Sequence, residues 1–167
     1  MNRKTILILS STVILALIVV LAYVVVTRTP TTRVYVYPQS TVTALGQNFT
    51  VNVTISDVSD LYGWRLKLSW NNTLLDVLNV TEGAFLQNGS QTFFSPPIIN
   101  GTAGYLVADC TLLGNTKGVS GSGVLATIQF HVEENGDCSL HLYDLTLLSS
   151  AVQSIVSNVN DGHFSTT

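Results

Sequence analysis

Three histidines, ten carboxylates and two cysteines are the side chains in this 167-residue sequence suited to acid–base, metal or nucleophilic chemistry. Their spacing does not assemble it. His131, His141 and His163 lie far apart, and none stands at helical spacing from a carboxylate, as a zinc-binding His-Glu-x-x-His helix requires. There is no G-x-S-x-G, no phosphate loop and no Cys/His cluster with zinc spacing. Glu133, Glu134 and Asp137 offer a loose oxygen corner to a hard cation, and Asp57 with Asp60 offers another. Acidic residues in solvated turns need no ion to explain them. No catalytic residue, metal or cofactor is expected, and the reading left is a binding surface.

Cys110 and Cys138 are the remaining reactive pair. If the body of the chain is exported, a disulfide between them is expected; it would stabilise by roughly 3–4 kcal/mol in the chain-entropy model. Two buried free thiols behaving as small hydrophobes are the alternative.

Export is suggested by residues 5–27, which carry no charge. As a helix they would be roughly 34 Å long, enough to cross a hydrocarbon core of about 30 Å. Arg3 and Lys4 precede the run, and Arg28 and Arg33 follow it, a bias that favours a cytoplasmic N-terminus. The sequence therefore divides into a cytoplasmic N-terminus (1–4), a transmembrane signal anchor (5–27), a Pro-Thr stalk (28–33) and one exported domain (34–167). A cleaved signal peptide is the competing reading, although the run is long for one and ends without Ala-x-Ala. From residue 34 onward three cations face ten carboxylates, a formal charge of −7. Nucleic acid is excluded as a partner for want of a basic footprint.

The exported part alternates apolar and polar residues with the period of a strand. In residues 48–55 Phe49, Val51, Val53 and Ile55 are apolar, and Asn48, Thr50, Asn52 and Thr54 are polar. In residues 63–70 Trp64, Leu66, Leu68 and Trp70 turn inward and Arg65, Lys67 and Ser69 outward. Residues 74–80 continue as a short strand or a helical turn, and 91–94 form an edge strand stopped by Pro96-Pro97. Residues 104–113 put Leu106, Ala108, Cys110 and Leu112 on the core side. A flexible glycine-rich turn at 118–123 leads into strand 124–132, with Val124, Ala126, Ile128, Phe130 and Val132 inward. Asn135-Gly136 marks a turn. Strand 139–148 loses its alternation near Asp144, as at a bulge, and 162–166 is a terminal strand. About nine antiparallel strands without a long helical pattern predict an all-β sandwich. Six Asn-x-Ser/Thr acceptors for N-glycosylation, at Asn48, Asn52, Asn71, Asn79, Asn88 and Asn100, agree with export.

In their order these segments resemble the cohesin family and its carbohydrate-binding-module superfamily. The residues that carry the resemblance are 47–58 (QNFTVNVTISDV), 61–70 (LYGWRLKLSW), 72–77 (NTLLDV) with 82–86 (EGAFL), and 118–130 (GVSGSGVLATIQF) followed by 136–142 (GDCSLHL). The resemblance covers residues 34–166. It implies a nine-stranded jelly-roll sandwich without catalytic activity, one sheet face of which receives a partner, typically a dockerin module. In this chain that face would comprise Arg65, Lys67 and Ser69, then Tyr105, Val107 and Asp109, then His141 and Tyr143. The alternative for the same residues is a solvated face on which Arg65 or Lys67 pairs with Asp109. A membrane-anchored, extracytoplasmic module that docks a dockerin-like protein or a glycan is thus expected. A pilin-like or surface-layer subunit and a polysaccharide-binding module, marked by Tyr105 and Tyr143, are the alternatives.

Overall fold

The alternation that begins at Asn48 becomes one strand of 22 residues, Asn48–Ser69, in the computed structural model, which describes residues 31–167. That strand, β3, belongs to two layers. Before it come β1 (Arg33–Tyr37) and β2 (Ser40–Thr43); after it come β4 (Leu75–Glu82), the one-turn helix α1 (Ala84–Gln87), β5 (Thr92–Phe94), β6 (Ile98–Asn100) and β7 (Tyr105–Leu112). Then follow β8 (Val119–Val132), β9 (Asp137–Ser149), β10 (Asn158–Asn160) and β11 (Gly162–Thr166).

The first half of β3 pairs with β1 on one side and β8 on the other, and β10 and β4 extend these edges. Its second half pairs with β7 and β9; β5 and β6 extend the β7 edge, and β11 and then β2 extend the β9 edge. The layers enclose one core. Val51, Val53 and Ile55 face it from the first, and Leu66, Leu68, Leu106 and Leu142 from the second, all buried. Phe49 stacks on Phe130 and Phe164 with ring centroids 5.3 and 5.0 Å apart, and Trp70 meets Phe130 edge-on. The buried Trp70 indole donates to the Leu75 carbonyl at 2.8 Å, so its one polar group is satisfied.

The all-β sandwich is as expected, with several corrections. Eleven strand segments replace about nine, because the chain breaks β1 from β2 at Pro38 and β5 from β6 at Pro96-Pro97, where proline cannot donate. Not every pair is antiparallel: β10 runs parallel to β1, and β11 parallel to β2. The glycine-rich stretch 118–123 is no free turn. Its residues 119–123 belong to β8, and Gly121 and Gly123 align with Val58 and Ile55. A register shift opposite Val53 and Thr54 lets Leu125 take the core place expected of Val124. Asn135-Gly136 bends the chain from one layer to the other and makes no hairpin.

The compact domain starts at Thr31; Thr32 is buried, its carbonyl accepts from Asn158 and its hydroxyl donates to the Asp57 carbonyl. The apolar run 5–27, expected to cross the membrane, lies outside the described residues, as do 1–4 and 28–30. Among the described residues no helix is long and apolar enough to cross a membrane.

The expected disulfide is absent: Cys110 and Cys138 are free thiols. The registers give the reason. Cys110 stands opposite Trp64, whereas Cys138 lies three residues beyond His141, which stands opposite Ser69. About eight residues of strand separate the two levels, roughly 25 Å, where a bridge needs Cα atoms within about 7 Å.

Candidate functional site

The outer face of the second layer is built by three long strands whose outward residues fall into rows. Arg65 of β3 lies between Asp109 of β7 and Thr146 of β9; Lys67 lies between Val107 and Tyr143; Ser69 lies between Tyr105 and His141. All eight residues expected on the face are therefore brought together in adjacent rows. Sequence alternation achieves this because a strand's period is two, so odd residues of β3, β7 and β9 share one side wherever the register holds. Within these rows it slips between Arg65 and Lys67, where Asp144 adopts a φ of 49° and supplies the extra residue of a bulge; a second slip lies beyond them, between Leu61 and Gly63.

That bulge settles the charge arrangement. Lys67 Nζ lies 2.7 Å from the Asp144 carboxylate and 5.9 Å from the centre of the Tyr143 ring. Its hydrogen bond to Asp144, with the accompanying attraction, raises the Lys67 ammonium above its usual range and lowers the Asp144 carboxyl below its own. Neither cation pairs with Asp109: Lys67 is taken by Asp144, and Arg65, exposed, has no carboxylate within 4 Å among the described residues. His141 Nδ1 lies 2.7 Å from Asp161, whose other oxygen accepts from the Leu142 amide, and the His141 ring stacks on Tyr143 with centroids 5.6 Å apart. Val107 is on the face as expected but only 6% exposed, flanked in register by Lys67 and Ile98.

Four residues of this surface escape the sequence reading. Ile98 (60% exposed) extends the Val107 row and Phe93 (53%) extends the row of Thr111, Gly63 and Leu148. The edge strand was expected to end at Pro96-Pro97, yet it resumes one residue later. Asp144 and Asp161 are the other two; the break in alternation marks Asp144, and no pattern marks Asp161. Beside Arg65, the missing side chain of Gly63 leaves an open hollow of about 260 Å³ between Asp109, Thr111, Thr146 and Leu148.

The arrangement holds no reaction centre. His141 and Asp161 form a pair with no hydroxyl or thiol bonded to the imidazole among the described residues. His131 lies on the other layer beside Asn48, and His163 is on β11. Asp60 is fully engaged: its carboxylate accepts from the Gly118 amide at 2.8 Å and from the Ser150 amide and hydroxyl at 3.2 and 2.7 Å. These bonds, that of the Ser150 hydroxyl foremost, lower its pKa. Glu133, Glu134 and Asp137 are exposed and unassociated, and among the described residues no group of three or more His, Cys, Asp or Glu is placed to hold a metal ion. Burial pushes the Cys110 thiol up to about 12, helped by Glu82, whose carboxylate accepts from it at 3.4 Å. It is a core group and no nucleophile.

The described domain is thus a β-sandwich whose second layer presents a mixed aromatic and charged face. The comparison with known proteins gives its class. The family model for the cohesin domain matches residues 35–164, and the chain belongs to that family, whose members are non-catalytic protein-docking modules. Among curated proteins, cellulose-binding protein A of Clostridium cellulovorans is 40% identical over 86 residues, 51% of this chain but 4% of that protein's length. Among solved structures, a non-cellulosomal cohesin from the archaeon Archaeoglobus fulgidus superposes with a TM-score of 0.66 at 20% identity, covering 82% of this chain and 91% of that one. A cohesin from Clostridium thermocellum, solved in a type I cohesin–dockerin complex, gives 0.71 at 14% identity, covering 82% and 99%.

Proposed function

We propose that the domain is a docking receptor whose β7–β3–β9 face takes a dockerin-like protein, held outside the cell by the apolar segment 5–27. One observation carries the reading: family membership comes with a face on which Arg65 has no carboxylate within 4 Å among the described residues, while Tyr143, in the next row, is held by His141 and Lys67. Arginine and tyrosine are the residue types that most often dominate binding energy at protein interfaces. The solved cohesin from C. thermocellum was captured with a dockerin, which supports a partner of that kind here. A polysaccharide is less well served, because the Tyr143 ring already has His141 stacked on it and Lys67 above it.

Calorimetric titration of residues 31–167 with purified dockerins tests the reading. Replacing Arg65 or Tyr143 by Ala is expected to weaken the complex about tenfold or more while leaving the melting temperature unchanged. Chelation of calcium is expected to release a dockerin-like partner. Wild-type affinity in both variants means that another surface docks. Self-association of the domain without any partner moves the reading to a structural subunit.

A further inference from the structure

The opposite outer face, that of the first layer, carries a different chemistry. Asn48, Thr50, Asn52 and Thr54 of β3 point out there, aligned with His131, Gln129, Thr127 and Val124 of β8. Asn79 of β4 stands opposite Gln129, and Thr81 opposite Thr127. Three of the six glycan acceptors, Asn48-Phe-Thr50, Asn52-Val-Thr54 and Asn79-Val-Thr81, therefore lie on this one face. The strand's period of two puts each asparagine and its threonine on the same outward side, already extended; Asn48, Thr50, Asn79 and Thr81 are exposed, and Asn52 and Thr54 half-buried. Asn48 and Asn52 are about 13 Å apart, and Asn79 lies two strands over, about 10 Å from Thr50.

The carboxamides are oriented to match. Asn52 Oδ1 accepts from the Thr127 hydroxyl at 2.8 Å, and Asn48 Oδ1 lies 2.6 Å from His131 Nδ1. Among the described residues Nδ2 of Asn48, Asn52 and Asn79 donates to nothing, so a substituent on that atom breaks no hydrogen bond of the fold. Asn72, which heads no acceptor, does the reverse and donates its Nδ2 to the Thr102 carbonyl. The other three acceptors are placed differently. Asn71 and Asn100 likewise keep Nδ2 free among the described residues, but their oxygens are tied into turns by Thr73 and Ala103 away from this face, and Asn88 follows α1. Asn100 also aligns with Tyr105 on the docking face, where a glycan would obstruct a partner.

We propose that Asn48, Asn52 and Asn79 are N-glycosylation sites, and that their glycans cover the first layer while the docking face stays bare. In each transfer the Asn Nδ2 bonds to the anomeric carbon of an oligosaccharide carried on a lipid phosphate or pyrophosphate. The carbon–oxygen bond to phosphate breaks, the lipid phosphate leaves with that electron pair, and Nδ2 gives one proton to a base of the transferase. The proposal rests on the export proposed above and is independent of what docks on the second layer.

Glycopeptide mass spectrometry of the full-length chain from its native source provides the test. Peptides holding Asn48, Asn52 and Asn79 are expected to carry added mass with sugar fragment ions. Thr54→Ala should abolish the increment at Asn52 and Thr54→Ser should keep it, which separates loss of the acceptor from loss of folding. Unmodified asparagines at all three positions overturn the proposal. So does sugar confined to Asn71, Asn88 or Asn100, since the covered face is then not the first layer.

Discussion

Lys67 sits at the centre of the β7–β3–β9 face, and its pairing with Asp144 decides what its charge can do. Both groups are solvated, so the pair adds little net stability, and its effect is to hold the ammonium beside Tyr143. The pH dependence follows from the two shifts. The Asp144 carboxyl is depressed, so what the pair contributes is present above the unfolded carboxyl value of about 3.9 and is lost as pH falls through the lower folded value. The Lys67 ammonium is raised, so its contribution is present below about 10.4 and is lost as pH rises through the higher folded value. Between these limits the face does not change charge through this pair. Lys67→Met is expected to return the Asp144 carboxyl to the ordinary aspartate range in a carbon-detected NMR titration; an unmoved Asp144 means that something other than Lys67 depresses it. A second residue-scale prediction concerns the thiols. Native protein at pH 8 should react very slowly with a maleimide at Cys110, since burial holds that thiol at about 12. Denaturation without reductant should then expose two reactive thiols. None reacting would restore the disulfide.

At the scale of elements, the joint in the middle of β3 lets one strand serve two layers. Asp57 and Asp60 adopt φ values of 56° and 60°, unusual for residues with a Cβ, and their amides donate to the hydroxyls of Ser122 and Ser120. Gly118 closes against this joint: a Cβ there would lie 2.4 Å from the Asp60 backbone. Gly118→Ala is therefore expected to cost on the order of 2–4 kcal/mol in urea unfolding, whereas Gly114→Ala meets no atom and has only its positive φ to oppose it. Equal costs for the two would refute the close approach as the cause. The joint also marks the limit of what sequence shows. Alternation gave the facing of Phe49–Ile55, Trp64–Trp70 and Leu106–Leu112 because, where the register slips along these runs, the extra residue falls on the neighbouring β8 or β9 and the run itself stays regular. It failed at Val124, at the supposed glycine turn and for the Lys67 partner. In each case the register slips; a break in alternation marks the slip only at Asp144, and which residues a slip brings together depends on the strand beside it. The disulfide failed for a similar reason, since spacing along the chain does not report the level at which two strands pass.

At the scale of the molecule, the proposed docking face on the described domain would take one partner module at a time. Several such domains held near one another would gain avidity, because a second contact profits from effective concentration. A lipid bilayer supplies that confinement if residues 5–27 remain in it, and it makes anchoring a functional matter as well as a question of location. The described domain has its own core from Thr31 onward, so it can be separated from the apolar segment without cutting a strand. Residues 31–167 and the full chain are thus expected to bind a single dockerin with the same affinity and at one to one. Only the full chain should sediment with membranes, and only the full chain, reconstituted in vesicles, should retain a partner carrying two docking modules much longer than a partner carrying one. Vesicle density sets the size of that gain: diluting the anchored chain into more lipid should remove it, whereas a second contact within the domain would survive dilution. A native protein whose N-terminus begins beyond residue 27 would show that the segment is removed on export and that the partner, not the membrane, gathers the receptors.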